Sequence, residues 1–171
     1  MKKFSLIVCV NTKNVIGNDN DLLYKIKEDL QNFKRMTTNN VVIMGRKTYE
    51  SLPKHPLPNR INIVITRDLN YKVDCDNVFV VNSVEDAVKL CEESFNDIEC
   101  FVIGGGQIYN EFLSKDYISR MYVTKIYDDS IGNVKFPSIE DDKWKLSFSL
   151  PSMLSKYLIE FKIYDRIVNK N

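Results

Sequence analysis

Asp29 is the residue whose setting in the sequence is least ordinary for its chemistry. Ile26, Leu30, Phe33 and Met36 recur at helical spacing. Taking Ile26 as zero and about 100° per residue, Leu30 falls near 40°, Phe33 near 340° and Met36 near 280°. Asp29 falls at about 300°, inside that apolar stripe, whereas Lys27, Glu28, Gln31, Asn32 and Lys34 lie elsewhere on the wheel. A carboxylate on a buried face is costly unless something pairs with it. One reading is a structural ion pair or a helix-terminus interaction. The other is a carboxylate kept for a ligand that presents paired N–H donors, and the wheel alone leaves both open. Gly104-Gly105-Gly106 also draws attention, because it follows an apolar run and precedes the helical marks Ile108, Phe112 and Leu113. By itself a glycine triplet says only that the chain turns tightly.

The elements that must position these residues are short β-rich runs: Phe4–Val10, Asn40–Met44, Ile61–Thr66, Val78–Asn82, Cys100–Gly104, Arg120–Ile126, Trp144–Leu150 and Tyr157–Arg166. Val41-Val42-Ile43-Met44 and Ile63-Val64-Ile65 are continuously apolar, which suits central parallel strands covered on both faces. The last two runs alternate instead and predict antiparallel pairing near a sheet edge. Helical patterns separate the earlier strands. Ser83-Val84-Glu85-Asp86 resembles a capping box, with Val84, Ala87, Val88, Cys91 and Phe95 continuing the apolar face. The expected fold is a single α/β domain over residues 1–171, with a mixed, mostly parallel eight-stranded sheet, about four helices and an antiparallel C-terminal strand.

Composition excludes several classes. The chain has 171 residues, 44% hydrophobic and 27% charged, with a net charge of +1. There is no global field for nucleic acid or an anionic membrane. No apolar stretch approaches the roughly 20 residues that span a bilayer. The apolar run after Lys2-Lys3 ends at Asn11, too short for a signal-peptide core. Cys9, Cys75, Cys91 and Cys100 show no CxxC spacing, and with one histidine there is no zinc pattern. Reduced thiols in a cytoplasmic protein, and no metal, are the expectation. The acidic stretch around Glu85, Asp86, Glu92, Glu93, Asp97 and Glu99 reads as a solvated helix face.

Taken in order, the motifs carry more than any one of them. Asn14-Val15-Ile16-Gly17-Asn18-Asp19-Asn20, Asp29-Leu30-Gln31-Asn32-Phe33-Lys34 and Val42-Ile43-Met44-Gly45-Arg46-Lys47-Thr48-Tyr49-Glu50-Ser51 come first. Pro56-Leu57-Pro58-Asn59-Arg60, Asn62-Ile63-Val64-Ile65-Thr66-Arg67 and Phe101-Val102-Ile103-Gly104-Gly105-Gly106-Gln107-Ile108-Tyr109 follow, then Tyr122-Val123-Thr124-Lys125-Ile126 and Gly132 to Pro137. From Ser5 to about Tyr164 this set strongly resembles the dihydrofolate reductase family. The resemblance implies NADPH-dependent reduction of dihydrofolate to tetrahydrofolate, with hydride to C6 and a proton to N5, feeding one-carbon metabolism and thymidylate synthesis. It also implies antifolate inhibitors as ligands, no nucleic-acid or membrane partner, and a monomer. The chain ends soon after its last predicted strand, so no fused thymidylate synthase is expected.

The resemblance assigns residues. Asp29 becomes the carboxylate that holds the pterin's N–H fork through two charge-assisted hydrogen bonds, with Thr124 touching carboxylate and pterin, and Tyr109 near the hydride path. Ile7, Val8, Leu30, Phe33, Leu52, Leu57 and Ile103 match the folate-pocket lining, and Arg60 matches the grip on the substrate's α-carboxylate. Gly45-Arg46-Lys47-Thr48 and Gly104-Gly105-Gly106-Gln107 each open a helix whose free N–H groups can receive pyrophosphate. Arg46, Lys47 and Arg67, with Thr66, match positions around the 2′-phosphate. Cys9, Ile16, Gly17 and Asn20 match the nicotinamide half, Tyr109 a position near the nicotinamide, and Ile108 a further cofactor-binding position. There is no GxGxxG fingerprint of a Rossmann dehydrogenase.

Four features depart from the family pattern. Leu23-Tyr24 stands where Pro-Trp is usual, and Tyr24 can still hold a catalytic water through its hydroxyl. Asn133-Val134 replaces Asp-Thr after Gly132, Gln107 occupies a position that is often basic, and His55 is an extra residue before Pro56. The rival readings are a pyrimidine reductase of riboflavin synthesis, not expected to combine Asp29, Phe33 and Arg60, and a silent NADPH- or folate-binding protein.

Overall fold

Apolar runs with no polar break cannot leave either face in water, so they belong inside a covered sheet. In the computed structural model of the chain, which describes residues 1–18 and 21–168, they do so. The elements are β1 (Phe4–Asn11), β2 (Val15–Asn18), β3 (Asp21–Leu22), α1 (Lys27–Thr37), β4 (Val41–Gly45), α2 (Arg46–Ser51), β5 (Ile61–Ile65) and β6 (Val78–Val81). They continue with α3 (Val84–Ser94), β7 (Cys100–Gly104), α4 (Gly106–Ser114), β8 (Ile118–Ile126), β9 (Val134–Lys135), β10 (Trp144–Ser152) and β11 (Ile159–Arg166).

Eight strands form one sheet in the order β10-β11-β8-β1-β7-β4-β5-β6. Every neighbour from β8 to β6 pairs in parallel, while β11 runs antiparallel between β8 and β10. All eight strands foreseen from periodicity are these eight. Alternation splits β4 between two cores: Val41 and Ile43 join Phe4, Leu6, Ala87 and Phe112, whereas Val42 and Met44 pack with Tyr49 and Val64. Helices α3 and α4 therefore cover one face and α2 the other. Ile26, at the entry to α1, packs with Ile126 and Ile159 and against Cys9, which places α1 on the α2 side. Ser83 caps α3 by accepting from the Asp86 amide at 3.0 Å, half of the expected capping box. All four cysteines are free thiols, with Cys91 and Cys100 buried.

Two features differ from the sequence expectation. Leu30 was expected on a buried stripe, yet it is 45% exposed, and α1 fully buries only Thr37. The helix borders a cavity rather than a packed core, so its apolar residues are covered incompletely. The second is a small sheet, β3-β2-β9, which no periodicity announced. Runs of four, two and two residues are too short to show one.

This small sheet is packed backbone to backbone. A Cβ on Gly132 would lie 2.5 Å from Gly17 O and 2.6 Å from Val15 Cγ1. Gly132→Ala is therefore expected to destabilise the protein by about 1–3 kcal/mol through overpacking, read as a lowered urea midpoint at unchanged slope. An unchanged midpoint would show that the two loops separate at no cost.

Candidate active site

Asp29 sits in the first turn of α1, directed at the sheet. It accepts a hydrogen bond from Thr124 Oγ1 at 2.5 Å, and Thr124 is the β8 residue in register with Cys9 of β1. Burial raises the Asp29 carboxyl above its usual range, and hydrogen bonds from Thr124 and Cys9 draw it partly back. No lysine or arginine contributes to that balance. The structural ion pair left open by the helical wheel is absent among the described residues. Beside the carboxylate lies a cavity of about 640 Å³, lined by Ile7, Asp29, Phe33, Tyr122, Thr124 and Phe161 among others.

A second cavity, of about 740 Å³, lies at the carboxyl ends of the parallel strands. Val8 and Cys9 of β1 line it, as Ile7 lines the first, so the two share β1 as a wall. Gly45, Arg46, Lys47 and Thr48 contribute from the β4–α2 turn, Ile103, Gly105, Gly106, Gln107, Ile108 and Tyr109 from β7–α4, and Thr66 and Arg67 from the end of β5. Ile16 and Gly17 border it from β2. Gly104 has φ +118°, a conformation that favours glycine, and a Cβ there would press on the Tyr109 ring at 3.2 Å. The N-cap of α4 is Gly105, which offers its first amides no side-chain cap, and the cavity also holds three cationic side chains. These residues fit a dinucleotide with phosphate groups.

Several side chains are more committed than sequence suggests. The Tyr109 hydroxyl lies 2.7 Å from Ile7 O and 2.8 Å from Ile103 O, to which it donates, and burial pushes its pKa upward. It is a neutral strut between β1 and β7. Burial likewise raises the Cys9 thiol well above its ordinary value. Arg46 pairs with Glu50 at 3.4 Å and lies over the Tyr71 ring, and Gln107 donates to Glu111.

The expected folate-lining residues are not gathered in one place. Ile7, Asp29, Phe33 and Thr124 line the first cavity, Val8 and Ile103 the second. Leu30, Leu52, Leu57, Arg60, Gly104 and Tyr24 line neither. Leu52 and Leu57 pack against the core around Met44 and Val64. Arg60 is only 7% exposed; it donates to Pro58 O and Thr37 Oγ1, and its guanidinium lies 6.0 Å from the Phe33 ring centre. The Tyr24 hydroxyl donates to Asp128 and accepts from Asn11. Asn20 lies outside the described residues. Sequence reasoning missed Asn82 and Ser83, which line the second cavity at the β6–α3 turn. The signal was present, since that turn is a third strand-to-helix junction at the same sheet edge.

A sheet that gathers strand-to-helix turns, cations and a buried carboxylate at its carboxyl edge defines a nucleotide-binding α/β enzyme. The family model described as dihydrofolate reductase matches residues 3–166. A dihydrofolate reductase of Staphylococcus haemolyticus is 40% identical over 169 residues, 96% of each chain. One from Bacillus subtilis is 37% identical over 165 residues, 95% of this chain and 94% of that one. A solved Enterococcus faecalis dihydrofolate reductase, complexed with NADP(H) and RAB-propyl, superposes with a TM-score of 0.82 at 28% identity, covering 96% of each chain. The chain belongs to the dihydrofolate reductase family.

The raised Asp29 carboxyl has a consequence for stability. In the unfolded chain this group ionises freely, so its ionisation opposes folding. Stability is complete below the ordinary carboxylate range and is partly lost as pH rises through the raised folded value. Asp29→Asn, which cannot ionise, should raise the melting temperature near neutral pH. The gain should vanish on acidification below about pH 4. Melts recorded across pH check this, and a gain that does not depend on pH would contradict it.

Proposed function

We propose that this chain reduces 7,8-dihydrofolate to tetrahydrofolate, with Asp29 holding the pterin and the larger cavity holding NADPH. The observation that carries the reading is a buried carboxylate with one hydroxyl donor, no counter-ion among the described residues and a cavity beside it. With Thr124 on Oδ1, the carboxylate keeps lone pairs for a ring N–H and an exocyclic amine. Burial excludes competing water and strengthens that pairing. NADPH, when bound, supplies the hydride that adds at C6, and one proton from solvent adds at N5. Asp29 raises the proton affinity of the ring, and an ordered water carries the proton. Tyr109, held neutral, shapes the wall between pterin and nicotinamide.

Arg60 is a guanidinium without a carboxylate in ion-pair distance among the described residues, and it lies over the Phe33 ring. It suits the α-carboxylate of the substrate's tail. Arg46, Lys47 and Arg67 supply the positive field that a 2′-phosphate requires. Free thiols at all four cysteines support a cytoplasmic setting, and no helix of the described residues is long and apolar enough to cross a membrane. A monomer that also takes antifolates in place of substrate completes the reading.

The test is dihydrofolate-dependent oxidation of NADPH, followed optically. Asp29→Asn should lower turnover near neutral pH by about 10²–10⁴, with partial recovery in acid as solvent supplies the proton. An unchanged rate and pH profile would remove Asp29 from the mechanism. NADPH binding without turnover by the unmodified protein would identify a silent binder instead. Arg46→Ala or Arg67→Ala should weaken NADPH about tenfold or more and leave NADH nearly unaffected. Equal losses would refute recognition of the 2′-phosphate.

A further inference from the structure

Strand β5 reads Ile61-Asn62-Ile63-Val64-Ile65, so one polar residue interrupts an otherwise apolar run. Asn62 is completely buried, where an unpartnered amide would be costly. Its main chain serves the sheet, in register with Val42 on one side and Val78 on the other. Its side chain serves the loop that precedes the strand. Oδ1 accepts from the Leu57 amide at 3.0 Å, and Nδ2 donates to Leu57 O at 3.0 Å and to Arg60 O at 3.1 Å. The two carbonyls fix which way the amide points, since the reverse orientation would set oxygen against oxygen.

A second amide acts at the same place. Asn77, just before β6, donates from Nδ2 to Arg60 O at 3.1 Å, and its Oδ1 accepts from Cys75 Sγ at 2.9 Å. The Asn77 carbonyl accepts from the Asn62 main-chain amide at 2.8 Å, which keeps the two asparagines side by side. The Arg60 carbonyl is thus held by two donors, while its guanidinium donates to Pro58 O at 2.9 Å and to Thr37 Oγ1 at 3.1 Å. Between the pinned residues Leu57 and Arg60 runs a turn through Pro58 and Asn59, the latter at φ +58°. The shape of so short a turn is set by what grips its two ends. Neither asparagine lines the cavity beside Asp29 or the larger one. Whatever they do for a ligand passes through Leu57 and Arg60.

We propose that Asn62 and Asn77 are positioning residues that set where the Arg60 guanidinium stands. Through it they set how strongly the protein prefers a substrate with an anionic tail over the bare pterin ring. The proposal rests on Arg60 receiving the tail carboxylate, as read under the proposed function. A guanidinium that engages a carboxylate through two parallel hydrogen bonds tolerates little displacement. The main chain of Arg60 is the part that the asparagines grip. The ring is held elsewhere, at Asp29, and a shift of the Leu57–Arg60 turn leaves that pairing in place.

The test compares dihydrofolate with 6-methyl-7,8-dihydropterin, which carries the reducible ring and no tail. The preference is the ratio of kcat/KM for the two substrates, measured in wild type, Asn62→Ala, Asn77→Ala and Arg60→Ala. Asn62→Ala should lower the preference about tenfold, through a raised KM for dihydrofolate with kcat kept. Asn77→Ala leaves Asn62 in place and should lower it about two- to threefold. In the Asn62→Ala/Arg60→Ala double variant the preference should fall no further than in Arg60→Ala, because the asparagine acts through the arginine. Equal losses on both substrates, which a disturbed β5 alone would produce, overturn the proposal. So does a further fall of the preference in the double variant, or an unchanged preference in folded Asn62→Ala. Should Asn62→Ala not fold, Asn77→Ala decides: a lowered preference supports the proposal and an unchanged one overturns it. Arg60→Ala separates the two levels of the reading. If its preference falls while those of the asparagine variants do not, this proposal alone is overturned. If its preference is that of wild type, or if the wild-type protein reduces neither substrate, the reading beneath the proposal is overturned with it.

Discussion

The site depends on a carboxylate held under apolar cover without a counter-ion. Asp29 has Thr124 and Cys9 as donors and no cation among the described residues. Such a group is costly in the free protein. The rest of the architecture can be understood as what makes this arrangement tolerable. The first turn of α1 offers the positive end of a helix to the carboxylate, β8 delivers the threonine, and β1 delivers the thiol in register with it.

A parallel sheet concentrates chemistry at one edge because every strand arrives there running the same way. The turns after β4, β6 and β7 all open at that edge, and each leads directly into a helix. The larger cavity is built from these turns and lies next to Asp29 because β1 is central, between β7 and β8. Adjacent residues of β1 line the two cavities. The antiparallel β11, beyond β8, contributes Phe161 and Ile163 to the cavity beside Asp29. The alternation that predicted antiparallel pairing near a sheet edge thus also furnishes a wall of the site.

The cover over the larger cavity follows a different logic. It is made of pieces too short to fold by themselves, joined by glycines that permit backbone contact and by polar side chains that reach across loops. Where the family usually has Pro-Trp, this chain has Leu23-Tyr24, and the tyrosine hydroxyl is committed to Asp128 and Asn11. The sequence reading that Tyr24 holds a water did not foresee this use of its hydroxyl. The partner lies 104 residues away, and no local pattern records such a distance.

The sequence by itself determined the eight main strands, the helices α1, α3 and α4, the glycine turns and the anomaly of Asp29. Each is written in the periodicity, capping or composition of one continuous segment. Motifs taken in order were enough to indicate the family. Tertiary structure alone decided that Leu30 is largely exposed, and that of the expected folate residues some line the cavity beside Asp29, some the larger one, and Leu30, Leu52, Leu57 and Arg60 neither. It also decided that Arg60 lies buried against Phe33 and that β2, β3 and β9 form a cover. These outcomes depend on how far α1 stands from the sheet and on which loops meet. Both are set by contacts between segments distant in sequence, which the pattern within any one of them does not specify.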